Sequence, residues 1–127
     1  MITIDPRANK AIYLQIVDNI KMSIMKKTIK PGDKLPSVRE LSLILTTNPN
    51  TVSKAYQELE RQKVIETIRG KGTFVSATYT PRMDEDKTKE LKEALKDIVV
   101  NSHYLGFNRK DIIEMLHQIY DDLTLGE

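Results

Sequence analysis

Two capped helix starts lie so close together in the middle of the chain that few folds can accommodate them. Ser37-Val38-Arg39-Glu40 has the pattern of a capping box, in which the serine oxygen accepts the amide of the third helical residue and the glutamate reaches back. Asn48 followed by Pro49 opens another helix, because asparagine is a good N-cap and proline suits the first helical position. The first helix therefore ends near Thr46-Thr47, and the tight connection predicts a helix-turn-helix.

The apolar residues on either side of this turn recur at helical spacing. Steps of three and four residues place them on one face of each of three helices: Tyr13, Ile16, Val17, Ile20 and Ile24; Val38, Leu41, Ile44 and Leu45; and Val52, Tyr56 and Leu59. Pro31-Gly32 is expected to end the first of these helices. Ile2-Thr3-Ile4 alternates in polarity and is interpreted as a short edge strand.

Small polar and basic residues open the second helix of the predicted helix-turn-helix. A helix that enters the major groove needs short or flexible polar side chains in its first two turns, where it approaches the base edges. Four residues meet this need: Asn50, Thr51, Ser53 and Lys54. An ordinary solvated helix face has the same composition, so it is the turn before the helix and the hairpin after it that favour DNA.

A basic hairpin follows the helix-turn-helix and predicts a wing. Val64–Ile68 and Thr73–Ser76 have the composition of strands, and Arg69-Gly70-Lys71-Gly72 lies between them. The two glycines permit the turn and a close approach of the main chain, and the cations can lie against the minor groove or the phosphates. A solvated turn remains the alternative. The segment lacks the spacing and the following helix of a phosphate-binding P-loop.

Ser37 and Arg39 open the first helix of the pair and are also candidates for DNA contact. The amino end of a helix attracts phosphate through its free amides and its dipole, and Arg39 can reach a phosphate or a base. For Ser37 the alternative is a cap alone, although one residue can do both.

The last third of the chain predicts a two-helix region that pairs with a second copy. Residues 77–88 are polar, contain a proline and are interpreted as a linker that runs into a helix start. Two helices of this length cannot close a core by themselves, so their apolar faces pack on the winged helix or on another copy. Because operators are commonly two-fold, dimerisation is favoured, through these residues: Leu91, Leu95, Ile98, Ile112, Ile113, Leu116, Ile119, Tyr120 and Leu123.

The predicted fold is mainly α-helical with a small β-wing. Residues 1–78 form an N-terminal winged helix-turn-helix, and residues 79–127 form a linker and a C-terminal two-helix dimerisation region. The charge agrees with this division: residues 1–80 hold 13 Lys/Arg against 7 Asp/Glu, a net of +6, and residues 81–127 hold 7 against 11, a net of −4. A basic part suits a polyanionic partner, although chance can produce a difference of this size.

Several other classes of protein find no support in the sequence. Cysteine is absent, which excludes disulfides and thiolate metal sites and agrees with a reducing cytoplasm. No apolar run approaches the roughly 18 residues of a membrane span, and the first 25 residues lack the apolar centre of a signal peptide. His103 and His117 lie on different predicted helices without a nearby cysteine, so a metal site there would need carboxylates such as Glu114 or Asp121. No nucleophile or paired-carboxylate motif indicates an enzyme, and no cofactor or metal site is predicted.

Four segments, in order and with the expected gaps, resemble the GntR family of bacterial regulators. They are residues 11–16 (AIYLQI), 30–41 (KPGDKLPSVREL), 48–60 (NPNTVSKAYQELE) and 69–75 (RGKGTFV), which together span about residues 10–76. The short two-helix tail is similar to the YtrA subfamily, whose members are usually dimeric repressors, often of operons for ATP-driven transporters. Other subfamilies carry arginines at the positions of Pro49 and Ser53, so their base preferences do not transfer.

The resemblance implies a set of residues at the positions where the family contacts DNA: Ser37, Arg39, Asn48, Asn50, Thr51, Ser53, Arg69 and Gly70. The expected function is a cytoplasmic, sequence-specific regulator that binds an inverted repeat in double-stranded DNA as a homodimer and acts as a repressor. A small-molecule effector at the dimer interface is possible. The alternative is a winged-helix module that holds a partner protein, but such interfaces usually need a central apolar anchor, which a basic polar face does not provide.

Overall fold

The computed structural model describes residues 2–79 and 83–124 of the chain. Five helices and one two-stranded antiparallel sheet follow one another in these residues: α1 (Ile12–Met25), α2 (Val38–Leu45), α3 (Pro49–Arg61), β1 (Ile65–Ile68), β2 (Gly72–Val75), α4 (Glu85–Tyr104) and α5 (Arg109–Leu123). The order helix, helix-turn-helix, hairpin is that of a winged helix, so the predicted fold class is confirmed. Contacts divide the chain into two units, Met1–Tyr79 and Thr80–Glu127.

Helix α1 is held by its apolar face, as predicted, but both of its flanks differ from the expectation. It ends at Met25, well before Pro31-Gly32, because Lys27 takes a left-handed conformation at φ 61°. The Ile2-Thr3-Ile4 segment is not a strand. Asn19 of α1 binds its backbone instead: the Asn19 amide donates to the Thr3 carbonyl at 3.0 Å and its oxygen accepts the Thr3 amide at 3.4 Å.

The turn between α2 and α3 follows directly from local chemistry. The capping box of Ser37 and Glu40 is present at the start of α2. Thr46 closes α2 with a left-handed backbone at φ 50°, and the Thr47 amide donates to the Ser42 carbonyl at 2.9 Å. Asn48 then caps α3, with Pro49 at its first position. The predicted boundaries of both helices are therefore confirmed.

The wing is a short hairpin with an additional segment at its side. β1 pairs with β2 from Ile65 opposite Val75 to Ile68 opposite Gly72, so Gly72 lies in the strand and not in the predicted turn. Residues 32–35 run beside β2: the Leu35 amide donates to the Thr73 carbonyl, and the Val75 amide donates to the Asp33 carbonyl, both at 2.8 Å. These hydrogen bonds join the chain just before α2 to the base of the wing.

One apolar core joins α1, α2, α3 and the base of the wing. Its buried members are Ile16, Val17, Ile20, Leu35, Leu41, Val52, Ala55, Tyr56, Leu59, Val64, Ile65 and Val75. Truncating a fully buried leucine such as Leu59 typically costs about 2–5 kcal/mol, so this core holds α3 firmly. Of the apolar face predicted for α2, Leu41 is buried and Val38 and Leu45 pack against the core, but Ile44 is 63% exposed and lies outside it.

The second unit consists of α4 and α5, joined by a tight corner. Gly106, at φ 89°, and the hydrogen bond from the Phe107 amide to the Ser102 carbonyl end α4. Asn108 and Asp111 form a capping box at the start of α5. No helix in residues 2–79 and 83–124 is long and apolar enough to cross a membrane.

Candidate DNA-binding interface

Helix α3 is fixed along one side and open at its amino end. Val52, Ala55 and Leu59 are completely buried. The polar residues of its first turns reach solvent instead: Asn48, Asn50 and Lys54 are exposed, and Thr51 and Ser53 are half-buried. A helix packed rigidly on one face and polar at its amino end has the form needed to enter a major groove.

A hydrogen bond fixes the position of α3 relative to the start of α2. The Tyr56 hydroxyl donates to the carbonyl oxygen of Pro36 at 2.6 Å. Pro36 directly precedes the cap of α2, so this contact links the two helices where both approach a bound duplex in the helix-turn-helix arrangement. The sequence predicted Tyr56 only as an apolar core residue, because nothing local indicates a partner twenty residues away.

The environment of Tyr56 keeps its hydroxyl protonated. Burial, and secondarily the negative charge of Glu40, raise the pKa of Tyr56 to about 12. The side chain is only 4% exposed. Tyr56 is therefore a neutral donor throughout the physiological range, and its hydrogen bond to Pro36 persists there.

Two of the predicted DNA-binding residues act as helix caps. The Ser37 Oγ accepts the Glu40 amide at 3.0 Å, and the Glu40 carboxylate accepts the Ser37 amide at 3.2 Å. Hydrogen bonds from Ser37 hold the pKa of Glu40 below its ordinary value, so the carboxylate stays charged. Asn48 accepts the Asn50 amide at 2.8 Å, which leaves the side-chain NH₂ of Asn48 available to donate to another group.

The predicted cations of the interface are exposed and are not neutralised by acids. None of the ion pairs that residues 2–79 and 83–124 form includes Arg39, Arg69 or Lys71. All three side chains are exposed. A guanidinium or ammonium without a protein carboxylate beside it is free to pair with phosphate.

The two cations of the wing, Arg69 and Lys71, lie on a hydrogen-bonded turn. The Lys71 amide donates to the Ile68 carbonyl at 2.9 Å, which closes the turn. Gly70 has a left-handed φ of 79°, a conformation that favours glycine, and the space where a side chain would begin is open. The main chain at Gly70 can therefore approach a partner closely.

Lys34 is a further cation at the base of the wing that the sequence did not indicate. It lies opposite Phe74 of β2, and its Cε would be only 2.9 Å from a Cβ added to Gly72. The missing side chain of Gly72 thus gives room to the stem of Lys34. A glycine in a strand can signal a close approach by another segment, although sequence alone does not identify which one.

A side-chain contact joins the far end of α3 to the wing. The Thr67 hydroxyl of β1 donates to the Glu60 carboxylate at 2.5 Å. Together with the bond from Tyr56 to Pro36 and the packing of Lys34 on Gly72, it links α2, α3 and the wing into one framework. These contacts therefore fix the predicted site residues of α2, α3 and the wing relative to one another.

The apolar residues predicted for dimerisation remain accessible. Leu91, Leu95 and Ile98 of α4 are 60%, 43% and 52% exposed. On α5 the remaining residues divide into an exposed group and a half-buried group: Ile113, Leu116, Ile119 and Tyr120 are exposed, and Ile112 and Leu123 are half-buried. Such a run of exposed apolar side chains on two helices is typical of an interface.

The two histidines are not part of a metal-binding cluster in the part of the chain that the structure describes. Within the described ranges, no group of three or more His, Asp or Glu side chains could hold a metal ion. His103 contacts the ring of Tyr104 edge to face, with the ring centroids 5.3 Å apart. The arrangement therefore gives His103 a packing partner.

The fold and the exposed polar helix end define a winged helix-turn-helix protein of the DNA-binding class. Residues 12–75 match the family model for bacterial regulatory proteins of the gntR family. The chain belongs to this family, so the resemblance seen in the sequence is confirmed.

Relatives with known names or structures match the chain over most of its length. It is 46% identical to the HTH-type transcriptional repressor YtrA of Bacillus subtilis, over 100% of this chain and 98% of that protein. A crystal structure of a transcriptional antiterminator from Listeria monocytogenes matches with a TM-score of 0.87 and 39% identity, over 100% of this chain and 95% of that one. The AraR DNA-binding domain in complex with operator ORX1 matches at TM-score 0.52 and 28% identity, over 58% and 92%.

Proposed function

We propose that this protein is a transcription regulator that binds an inverted repeat in double-stranded DNA as a homodimer. One α3 helix enters the major groove of each half-site, and the wing contacts the flanking backbone. The observation that carries the proposal is the amino end of α3, where exposed polar side chains stand on a helix fixed by fully buried Val52, Ala55 and Leu59. A related DNA-binding domain, that of AraR, has been solved on its operator.

The residues of the interface divide into two roles. Arg39, Arg69 and Lys71 are exposed cations and contact phosphates, which supplies affinity with little sequence information. Ser37 provides a cap, Gly70 allows close main-chain approach, and Gly72 at the end of the turn makes room for the stem of Lys34. Asn50 has an exposed side chain on the first turn of α3 and reads a base edge, for which adenine is the usual partner of asparagine. Asn48, Thr51 and Ser53 lie beside it and complete the contact surface.

Dimerisation supplies the second half-site. The exposed apolar residues of α4 and α5 pair with the same residues of a second copy, because an isologous interface buries both sets at once. We assign this role to Leu91, Leu95, Ile98, Ile112, Ile113, Leu116, Ile119, Tyr120 and Leu123. A small-molecule effector would bind at this interface.

Repression is the expected sign of regulation, and the cytoplasm is the expected location. The full-length similarity to the repressor YtrA supports the first, and the need to reach the DNA it regulates supports the second. A dimer seated on an operator blocks other proteins from the same duplex. No enzymatic activity is proposed, since the relatives named above are regulators of transcription.

The alternative is a module that holds a partner protein. Protein interfaces usually have an apolar centre with few charges, whereas the amino end of α3 offers Asn50, Ser53 and Lys54. The exposed cations beside it favour a polyanion over an apolar partner surface.

The test compares a duplex selected by the protein from a randomised pool with a shuffled duplex of the same length. Arg39→Ala and Arg69→Ala should weaken binding to both duplexes and lower the slope of log K against log salt by about 0.9 for each phosphate that is no longer neutralised. Asn50→Ala should weaken binding mainly to the selected duplex. The difference in binding free energy between the selected and the shuffled duplex should fall by about 1–3 kcal/mol. Arg109→Ala, in α5, is the charge-matched control and should change little.

Two results would contradict the proposal. If no sequence is enriched from the pool, the protein does not recognise DNA sequence. If Arg39→Ala and Arg69→Ala both bind like the wild type at moderate salt, the assigned phosphate-binding residues are wrong.

A further inference from the structure

Lys54 of α3 lies against an aromatic ring of α1. Its ammonium nitrogen is 4.1 Å from the centroid of the Tyr13 ring, well within the distance at which the face of an aromatic ring attracts a cation. Tyr13 is half-buried and packs against the winged-helix core, whereas Lys54 is exposed. The ring is therefore the fixed partner, and the lysine is the one that is positioned.

The charge of Lys54 is not cancelled by this contact. None of the ion pairs formed in the described part of the chain includes Lys54. A ring face attracts a cation through its quadrupole and carries no net charge. The ammonium therefore keeps its full charge, and the N–H groups that point away from the ring remain available to an acceptor.

We infer that Tyr13 is a positioning residue for DNA binding, which holds Lys54 ready to contact the phosphate backbone and away from the base edges. The inference rests on the proposed function. An ammonium is a point charge suited to phosphate, and its attachment to α1 keeps it from extending along the groove floor. A lysine at this position could reach either guanine or phosphate, and the inference assigns phosphate to Lys54.

Holding the lysine in advance also lowers the cost of binding. A long, flexible side chain loses rotamer freedom when it is ordered at an interface. Because the Tyr13 ring restricts Lys54 before DNA arrives, part of this loss has already occurred in the free protein. Removal of the ring should therefore weaken DNA binding through its effect on Lys54.

The position of Lys54 over the ring can first be tested without DNA. Protons on the Cε of Lys54 should show an upfield ring-current shift in the NMR spectrum of the wild type. Tyr13→Phe keeps a ring and should keep the shift, whereas Tyr13→Leu should lose it. A wild-type spectrum without the shift overturns the inference.

The second measurement is binding to the selected duplex and to the shuffled duplex over a range of salt. Tyr13→Leu should weaken binding to both duplexes by the same factor of about 2 to 5, and Tyr13→Phe should bind like the wild type. Lys54→Met should also weaken both equally and should lower the salt slope by about 0.9. Tyr13→Leu in the Lys54→Met background should cause no further weakening, because the two residues act through one interaction.

The other outcomes overturn the inference in different ways. If Lys54→Met weakens only the selected duplex, Lys54 reads a base. If Tyr13→Leu weakens binding equally with and without Lys54, Tyr13 acts by another route, such as the stability of α1. If the wild type binds no duplex, the positioning role fails together with the proposed function, although the ring-current shift still shows whether the ring holds the lysine.

Discussion

Replacing Tyr56 by phenylalanine should destabilise the protein at neutral pH by an amount that can be worked out from its single hydrogen bond. Tyr56→Phe keeps the buried ring and removes the hydroxyl that donates to the Pro36 carbonyl at 2.6 Å. A typical buried hydrogen bond contributes about 1 kcal/mol net, and a fully buried orphan acceptor costs more. Pro36 is only half-buried, so water can partly replace the donor. The expected decrease in the free energy of unfolding is therefore about 1 kcal/mol.

The same substitution should change the pH dependence of stability, and here the sign can be predicted. Folding raises the pKa of Tyr56 from 10.0 to about 12. Because the folded protein holds this proton more tightly, the contribution of Tyr56 is complete below pH 10 and is lost as the pH rises through 12. By about pH 11 the wild type should have lost about 1.4 kcal/mol through this group. Phenylalanine does not titrate, so the advantage of the wild type over Tyr56→Phe should vanish near that pH.

Urea unfolding followed by circular dichroism, at neutral pH and at steps from about pH 9 to about pH 11, measures both quantities. Equal protein concentrations keep any dimerisation comparable, and the other tyrosines and lysines titrate in both proteins and cancel in the difference. A difference near 1 kcal/mol at neutral pH that shrinks above about pH 10 supports the reasoning. A difference that stays constant over the whole range would show that folding does not raise the pKa of Tyr56, and Tyr56 would then not be a buried neutral donor.

Two further substitutions test the wing and the tail. Gly72→Ala should destabilise the winged helix by about 1–3 kcal/mol, because φ at this position is 121°. The destabilisation should be nearly as large in a Lys34→Ala background, since the flexible lysine stem can move aside. Thermal unfolding of the wild type, the two single variants and the double variant measures this. Ile119→Glu places a charge in the proposed dimer interface. It should shift the protein to monomer in sedimentation and weaken operator binding, while the helical circular dichroism signal of the monomer remains. A fully dimeric variant would exclude Ile119 from the interface.

The features that the sequence predicted well depend on neighbouring residues. The capping box of Ser37 with Glu40 needs only residues three positions apart, and it is present. The same local chemistry, Asn108 with Asp111, begins α5. The hairpin follows from strand-forming residues around a glycine-containing turn. Local chemistry of this kind determines where helices begin and where the chain turns, which for a winged helix is most of the fold.

The features that the sequence missed depend on distant partners. The alternation of Ile2-Thr3-Ile4 suits a strand, but its backbone binds the side chain of Asn19 instead. Ile44 has the right helical period, yet it is 63% exposed, whereas Leu41 of the same helix is buried. Periodicity states which residues share a face, and tertiary structure decides whether that face is covered.

The same contrast between local and distant information applies to the DNA-binding interface. The sequence indicates which residue types are there, and the tertiary contacts show which side chains already have a partner. Sequence reasoning selected polar residues at the start of α3, and the structure then shows which of them already have partners: Asn48 caps the helix, and Lys54 lies on the Tyr13 ring. Of the exposed residues on the first turn, Asn50 uses only its backbone amide in the cap. We therefore expect base recognition to fall chiefly to Asn50. The contacts of Tyr13 with Lys54 and of Tyr56 with Pro36 fix groups beside it.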